Sequence, residues 1–123
     1  MSSVGIDLLE VERLEAALVR RPRLAQRLFT DAELAAARAR HRPGRHLAAR
    51  FAAKEAAIKA LGSPVPARDV EVEGGGDVAP TLRLHGRAAA LATERGLELQ
   101  VSLTHSREMA AAVVVAERVA ESK

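Results

Sequence analysis

Residues 51–60 read FAAKEAAIKA and lie in a predicted helix. Leu47, Phe51 and Ile58 recur at helical intervals, so they share one face of that helix. Glu55 follows Phe51 by four residues and precedes Ile58 by three, which places a carboxylate in the middle of the apolar stripe. A carboxylate in that position must form an ion pair or bind a metal, or its burial costs considerable free energy. Because a lysine lies on either side of it, the run predicts either an ion pair at the edge of the core or a functional site.

The composition predicts one cytoplasmic domain. A chain of 123 residues with 48% apolar residues is expected to fold around a real core as a single domain, residues 1–123. The sequence has two Phe, no Trp and no Tyr, so the core must consist of aliphatic side chains and alanine. The absence of cysteine excludes disulfides and thiolate metal sites. The N-terminal residues do not form a basic segment followed by an apolar one, so no signal peptide is predicted. The sequence also has no long apolar run, so no membrane span is predicted.

Positive charge is concentrated in the first half of the chain. Residues 13–50 contain ten Arg and only three acidic residues, although the net charge of the whole chain is +3. This balance predicts an acidic partner: a nucleic acid, a phosphorylated ligand or an acidic protein. The scarcity of aromatic residues argues against single-stranded nucleic acid, which binds by base stacking. A solvated, arginine-rich surface without a partner would have the same composition.

The first half of the chain predicts one strand and then helices. Residues 4–7 (VGID) predict a short strand that ends at Asp7, and the spacing of Asp7 and Glu10 resembles a capping box for the next helix. Thr30 and Glu33 have the same spacing. The helices expected from these signals and from the apolar periodicity cover residues 8–20, a short segment from Pro22 to Phe29, 31–42, and 45–61 with its end at Gly62.

The second half changes to the period of β-strands. Two alternating runs within residues 69–86 flank the turn sequence GGGD at 74–77 and predict a hairpin. A short helix over 87–95 should end at Gly96, followed by strands over 97–105 and 109–117. The fold class expected from this order is α+β, with N-terminal helices packed on a small antiparallel sheet.

Three polar residues fall at the ends or in the apolar stripes of predicted elements: Asp7, Glu55 and His105. Each has an ordinary structural interpretation, because Asp7 would cap a helix, Glu55 would join an ion pair, and His105 would lie in a turn. Two carboxylates without cysteine or a histidine cluster favour a hard cation such as Mg²⁺, which keeps waters and completes its shell with phosphates. With lysine and arginine nearby, these residues suit phosphoryl-group chemistry.

Four segments carry a resemblance to a known family. GIDLLEVER at 5–13, LFTDAEL at 28–34, RFAAKEAAIKALG at 50–62 and VSLTHSREMAAAVVVAE at 101–117 closely resemble the holo-acyl-carrier-protein synthases, the small type of phosphopantetheinyl transferase. The resemblance spans essentially the whole chain, and the Lys-Glu-Ala-x-x-Lys-Ala block is its most specific part. It implies the phosphopantetheinyl-transferase fold. It also implies transfer of the phosphopantetheine arm of coenzyme A to a serine of an apo acyl carrier protein for fatty acid biosynthesis, with release of adenosine 3′,5′-bisphosphate.

The resemblance also implies roles for individual residues in the reaction. Asp7 and Glu55 match the positions that bind Mg²⁺, and Lys59 matches the position that contacts the transferring group. Glu55 and Lys59 are therefore the expected catalytic residues. Either Glu55 or a metal-bound water would remove the proton of the serine, and the sequence leaves both open.

Coenzyme A contacts follow from the same match. Arg50 and Lys54 fall at phosphate-lining positions, and His105 falls in the turn that precedes the last strand. This turn reads SLTH where the family usually has SISH, and the segment RHRPGRHL at 40–47 is unusually basic. These departures are expected to affect either the binding of coenzyme A or the specificity for the carrier protein.

The resemblance gives the basic half of the chain a partner. Carrier proteins of this kind are acidic and dock on the first helices of the family, here through the arginines Arg13, Arg20, Arg21, Arg23 and Arg27. The family is trimeric, so a homotrimer with active sites between subunits is expected, with no nucleic acid and no membrane as partner. Three alternatives stay open at this point: a module that binds coenzyme A or carrier protein without turnover, a nucleic-acid-binding protein, and a purely structural trimer.

Overall fold

A computed structural model describes residues 2–119 and confirms the α+β class. Its elements are β1 (Ser2–Glu10), α1 (Val11–Arg20), α2 (Leu24–Leu28), α3 (Asp31–Arg38), α4 (Pro43–Leu61), a 3₁₀ turn (Ala67–Asp69), β2 (Val70–Gly75), β3 (Val78–Leu84), α5 (Gly86–Arg95), β4 (Leu97–His105) and β5 (Met109–Arg118). None of the helices within residues 2–119 is both long enough and apolar enough to cross a membrane.

The main sheet has three antiparallel strands in the order β1-β5-β4. Asp7 pairs with Ala112 on one side of β5, and His105 pairs with Ala110 on the other. The second sheet is the predicted hairpin of β2 and β3. Its turn contains three glycines with positive φ, at 80°, 100° and 65° for Gly74, Gly75 and Gly76, a conformation that side chains disfavour.

The core is centred on α4, which packs on the main sheet. Its buried faces consist largely of alanine, including Ala48, Ala52, Ala53, Ala56 and Ala57, each fully buried. Small side chains let a helix approach its neighbours closely. The predicted stripe of larger residues is divided, because Leu47 is buried in this core, whereas Phe51 and Ile58 are only partly buried and pack at its edge.

Gly5 determines how closely β1 approaches α4. A Cβ atom at Gly5 would overlap the carbonyl oxygen of Ala56 and lie 2.8 Å from the amide nitrogen of Ala60. The hydroxyl of Ser3 donates a hydrogen bond to the Ala60 carbonyl oxygen at 2.5 Å. Side chains alternate along a strand, so Asp7 points to the same face as Gly5 and meets α4 one step further along.

The predicted boundary between β1 and α1 was wrong. The strand does not end at Asp7 but continues to Glu10, because Leu8, Leu9 and Glu10 pair with β5. Glu10 is therefore the N-cap residue of α1, and it makes no side-chain cap hydrogen bond. Asp7 caps no helix, which leaves its carboxylate free for another role.

The start of α3 and the end of α4 were predicted correctly. Thr30 and Glu33 form the predicted capping box, in which each accepts a hydrogen bond from the backbone of the other. Gly62 ends α4 in the left-handed conformation, with φ of 73°. Three helices have limits that differ from the prediction, since α2 covers only Leu24–Leu28, α3 stops at Arg38 and α4 begins at Pro43. A proline is well accommodated in the first turn of a helix, where its missing N–H is not needed.

We expect Gly5→Ala to lower the free energy of unfolding by about 2 kcal/mol or more, because the added methyl group collides with the backbone of α4. Thermal unfolding followed by circular dichroism measures the effect. Gly44→Ala is the matched control, since a Cβ atom at that position meets the side chain of Glu15, which can move aside. Equal stability of the two variants would contradict the close approach of β1 and α4.

Candidate active site

Asp7, Glu55 and Lys59 lie together where β1 passes α4. The Lys59 ammonium donates hydrogen bonds to Oδ1 of Asp7 at 3.2 Å and to the carbonyl oxygen of Ile6 at 2.9 Å. Glu55 precedes Lys59 by one helical turn, so the two project from the same side of α4. Asp7 is close enough to Glu55 for its charge to raise the pKa of that residue. The fold thus brings together residues that are far apart in the sequence.

Negative charge predominates at this site. Partial burial raises the pKa of Glu55, the neighbouring Asp7 raises it further, and Lys59 partly opposes both effects. The Asp7 side chain is 18% exposed and that of Lys59 is 55% exposed. Lys59 can therefore reach a ligand from its present position, while two carboxylates share the charge of one ammonium. A bound cation would relieve their repulsion.

The donor set fits Mg²⁺ held jointly with a phosphorylated ligand. Mg²⁺ prefers oxygen ligands, usually takes one or two carboxylates from the protein, and fills its shell with water and substrate phosphates. Asp7 and Glu55 provide two carboxylates on facing elements. Among residues 2–119, no group of three or more histidine or acidic side chains is arranged to hold a metal. The candidate metal ligands are Asp7 and Glu55, whose charges are close enough to repel each other.

Lys54 is not available for the coenzyme A contact expected from the sequence. Its ammonium is fully buried and lies 2.7 Å from Oε1 of Glu33. It also donates hydrogen bonds to the carbonyl oxygens of Ala67, at 3.1 Å, and Val70, at 2.5 Å. Burial lowers the pKa of Lys54, and Glu33 opposes this shift. All three donors of the ammonium have partners inside the protein, so Lys54 has an internal role.

Arg50 lies one turn before Lys54, and not all of its hydrogen-bond donors have partners. The side chain is buried, its Nη2 donates to the carbonyl oxygen of Gly74 at 2.7 Å, and its Nε has no hydrogen-bond partner in the described structure. Burial lowers the pKa of Arg50. A buried guanidinium with a free donor has capacity left for an anion.

His105 lies at the rim of a basic pocket that was not predicted from the sequence. The pocket has a volume of about 170 Å³. Its lining residues are Arg40, His41, Arg42, Arg45, His46 and His105. Burial and the charges of Arg50 and Arg40 lower the pKa of His46 to about 4, so its imidazole is neutral at physiological pH. The basic run at 40–47 indicated an anion-binding segment in the sequence, but only the fold shows that this segment faces His105.

The predicted docking arginines are all exposed, on α1, α2 and the segment between them: Arg13, Arg20, Arg21, Arg23 and Arg27. Arg13 borders an apolar cavity of about 550 Å³. The cavity also contacts Leu8 and Leu9, the two residues that follow Asp7 on β1. Arg21 and Arg27 line a second groove, together with Arg68. A basic surface with an apolar depression therefore begins next to the carboxylate pair.

Comparison with known proteins identifies the family. Residues 3–114 match the family model for "ACPS: 4′-phosphopantetheinyl transferase superfamily". A holo-[acyl-carrier-protein] synthase from Moorella thermoacetica is 50% identical to the chain, over 95% of this chain and 94% of the relative. One from Streptomyces coelicolor is also 50% identical, over 93% and 95%.

Solved structures agree with this result. A Chronobacterium ammoniagenes ACPS–CoA complex superposes with a TM-score of 0.86 at 30% identity, covering 98% of this chain and 99% of that one. A holo-(acyl-carrier-protein) synthase from Bacillus anthracis in complex with CoA (3′,5′-ADP) gives a TM-score of 0.78 at 31% identity, with 95% and 96% covered. The chain belongs to the 4′-phosphopantetheinyl transferase superfamily. Within it, the similar proteins named above are holo-[acyl-carrier-protein] synthases.

We expect Glu55→Gln to raise the melting temperature at neutral pH when metal is removed by a chelator. The folded state raises the pKa of Glu55, so its ionised form destabilises the fold above that pKa, and this penalty disappears as the pH falls below the unfolded value near 4.5. The gain from the substitution should therefore shrink between pH 7 and pH 4. Differential scanning calorimetry measures it, with the exposed Glu94→Gln as control. A gain that grows at low pH would contradict the pKa direction.

Proposed function

We propose that the chain is a holo-[acyl-carrier-protein] synthase that transfers the 4′-phosphopantetheine arm of coenzyme A to a serine of an apo acyl carrier protein, with release of adenosine 3′,5′-bisphosphate. The observation that carries this proposal is the meeting of Asp7, Glu55 and Lys59 beside an exposed basic surface. The names of the similar proteins and the coenzyme A complexes among them support it. Fatty acid biosynthesis is the proposed context, residues 1–123 are the proposed transferase domain, and the cytoplasmic location stays a prediction.

At the reacting centre, Asp7 and Glu55 would hold Mg²⁺. The ion, when bound, supplies positive charge that makes the pyrophosphate of coenzyme A a better electrophile. Lys59 has its exposed ammonium beside Asp7, where it would stabilise charge on the transferring phosphoryl group. Glu55 also offers a carboxylate that could accept the proton of the attacking serine hydroxyl.

The remainder of coenzyme A would bind to the basic groups further along α4. Arg50 has an unpartnered Nε, and the pocket beside His105 contains Arg40 and Arg45. Guanidinium groups bind phosphate through several donors at once, which suits the phosphates of coenzyme A. Lys54 is not among the proposed coenzyme A ligands, because its ammonium is buried and all its hydrogen-bond donors have partners within the protein.

The acidic carrier protein would dock on the exposed arginines of α1 and α2. Arg13 combines a positive charge with a position at the rim of the apolar cavity, which adjoins the strand that carries Asp7. Charge complementarity would raise the association rate and orient the serine toward the site.

Self-association would cover the outer face of the main sheet. Val4, Ile6 and Leu8 alternate along β1 on the side away from α4 and are 61%, 66% and 65% exposed. Three large aliphatic side chains in a row are unusual on a free surface. We therefore keep the homotrimer, with sites between subunits, as part of this proposal.

Intact-mass spectrometry of an apo acyl carrier protein, after incubation with the chain, coenzyme A and Mg²⁺, tests the activity. The carrier should gain the mass of one phosphopantetheine arm, and EDTA should prevent the gain. We expect Asp7→Ala and Glu55→Gln each to reduce turnover by about 100-fold or more with an unchanged circular dichroism spectrum. Full activity of the Asp7→Ala enzyme would refute the metal assignment. No mass gain with several carriers, from a folded chain that binds coenzyme A, would favour a binding module.

Arg13→Ala should raise the KM for carrier protein by about 3- to 10-fold and leave the KM for coenzyme A unchanged, because one docking charge is lost. The difference should diminish as salt screens the surface. Arg118→Ala, an exposed arginine at the end of β5, is the matched control. An equal effect of both substitutions would show that net charge matters rather than a docking surface.

Val4→Glu should convert a trimer into monomers, since it buries a charge in the proposed interface. Sedimentation velocity measures the change in mass, with Val78→Glu on the hairpin as control because Val78 is 64% exposed on a different sheet. A wild-type chain that sediments as a monomer would refute the trimer.

A further inference from the structure

The ion pair of Glu33 and Lys54 has no place in the chemistry described above. Its charged atoms are 2.7 Å apart, and the two side chains are 1% and 0% exposed. Replacing a buried ion pair with apolar residues is often neutral or even stabilising, so such a pair is weak evidence for stability. Its presence in the centre of the molecule calls for another explanation.

The pair joins four elements, α3, α4, the 3₁₀ turn and β2, through directional bonds. Lys54 on α4 donates to the carbonyl oxygens of Ala67 and Val70, which lie in the 3₁₀ turn and at the start of β2. Glu33, in the first turn of α3, accepts hydrogen bonds from the backbone N–H groups of Thr30 and Val72, both at 2.9 Å. Hydrogen bonds to charged groups have strict geometry, so this cluster fixes where α4 lies and how it is rotated about its axis.

A second cation on the same side of α4 reinforces this attachment. Arg50, four residues before Lys54, donates to the carbonyl oxygen of Gly74 at the other end of β2. Residues four apart are neighbours on one helical face. The two side chains therefore bind α4 to both ends of one strand.

The other side of α4 faces β1 mainly through alanine methyl groups and Gly5. These apolar contacts determine how closely the helix approaches the strand but have little directional preference, and the side-chain hydrogen bonds between the two elements are confined to the C-terminal end of α4. Glu55 follows Lys54 by one residue, which is a step of about 100° around the helix axis. A rotation of α4 would therefore displace the Glu55 carboxylate relative to Asp7.

We propose that Glu33 and Lys54 are positioning residues that hold α4 in the rotation at which Glu55 faces Asp7. This inference rests on the proposed function, because it gives the Asp7–Glu55 pair its purpose. The buried pair would contribute to metal and coenzyme A binding without touching either ligand. It also explains why the lysine of the Lys-Glu-Ala run is internal while the glutamate next to it reaches the site.

The double variant Glu33→Gln/Lys54→Met tests the proposal, because it removes both charges together and leaves neither one buried alone. Mn²⁺ titration in the presence of coenzyme A, followed by electron paramagnetic resonance, reports the metal affinity without a carrier protein. We expect the affinity for Mn²⁺ to fall about tenfold and kcat to fall about 10- to 100-fold, because small displacements at a reacting centre are costly. The KM for carrier protein should not change.

Leu91→Ala is the matched control, since it truncates a buried side chain on α5 and lowers the melting temperature at a distance from the site. All measurements are made well below both melting temperatures. If the double variant does not fold, Glu33→Gln/Lys54→Gln also removes both charges together, keeps polar groups at both positions, and gives the same readouts.

Wild-type affinity for Mn²⁺ and wild-type kcat in the charge-free variant would overturn the proposal and leave the pair with a structural role only. A loss of Mn²⁺ affinity in Leu91→Ala equal to that in the double variant would overturn it as well. If the wild-type chain binds Mn²⁺ and coenzyme A but modifies no carrier, the transfer activity is refuted, whereas the comparison of Mn²⁺ affinities still decides the positioning roles.

Discussion

The contact between the backbone of α4 and β1 at Gly5 is the constraint on which the rest of the molecule depends. A helix can lie this close to a strand only when both surfaces are almost without side chains, and here glycine faces alanine. The close contact brings Asp7 to the side of α4 that carries Glu55 and Lys59. The arrangement of the site is thus a consequence of backbone packing. The chemistry belongs to the charged residues, but their meeting depends on residues with the smallest side chains.

Local signals predicted much of the fold. The capping box of Thr30 and Glu33, the end of α4 at Gly62 and the alternation of β4 each involve residues close together in the sequence. The boundary of β1 was wrong for the opposite reason. Leu8 precedes Val11 by three residues, which is a helical spacing, yet its backbone pairs with Ala111 of β5. Only the fold brings these residues together, and their pairing outweighs the local helical pattern.

The candidate site shows the same division between local and long-range information. The family resemblance selected Asp7, Glu55 and Lys59, and the structure brings them together. It also selected Lys54, but neighbouring residues on a helix point in different directions, and the partner of Lys54 lies on α3. The pocket beside His105 could not be predicted either, because its arginines come from the connection between α3 and α4 and from the first turn of α4, where no periodicity is visible.

The pairing of β1 with β5 has a consequence for how the protein is made. Asp7 leaves the ribosome well before its partner strand, Met109–Arg118, because the other helices and strands lie between them in the sequence. Until β5 emerges, β1 has no neighbour in the sheet, and Asp7 cannot be fixed opposite Glu55. Contacts between such distant segments form late in folding because closing a long loop costs entropy. The nascent chain should therefore bring Asp7 opposite Glu55 only after β5 has been synthesised.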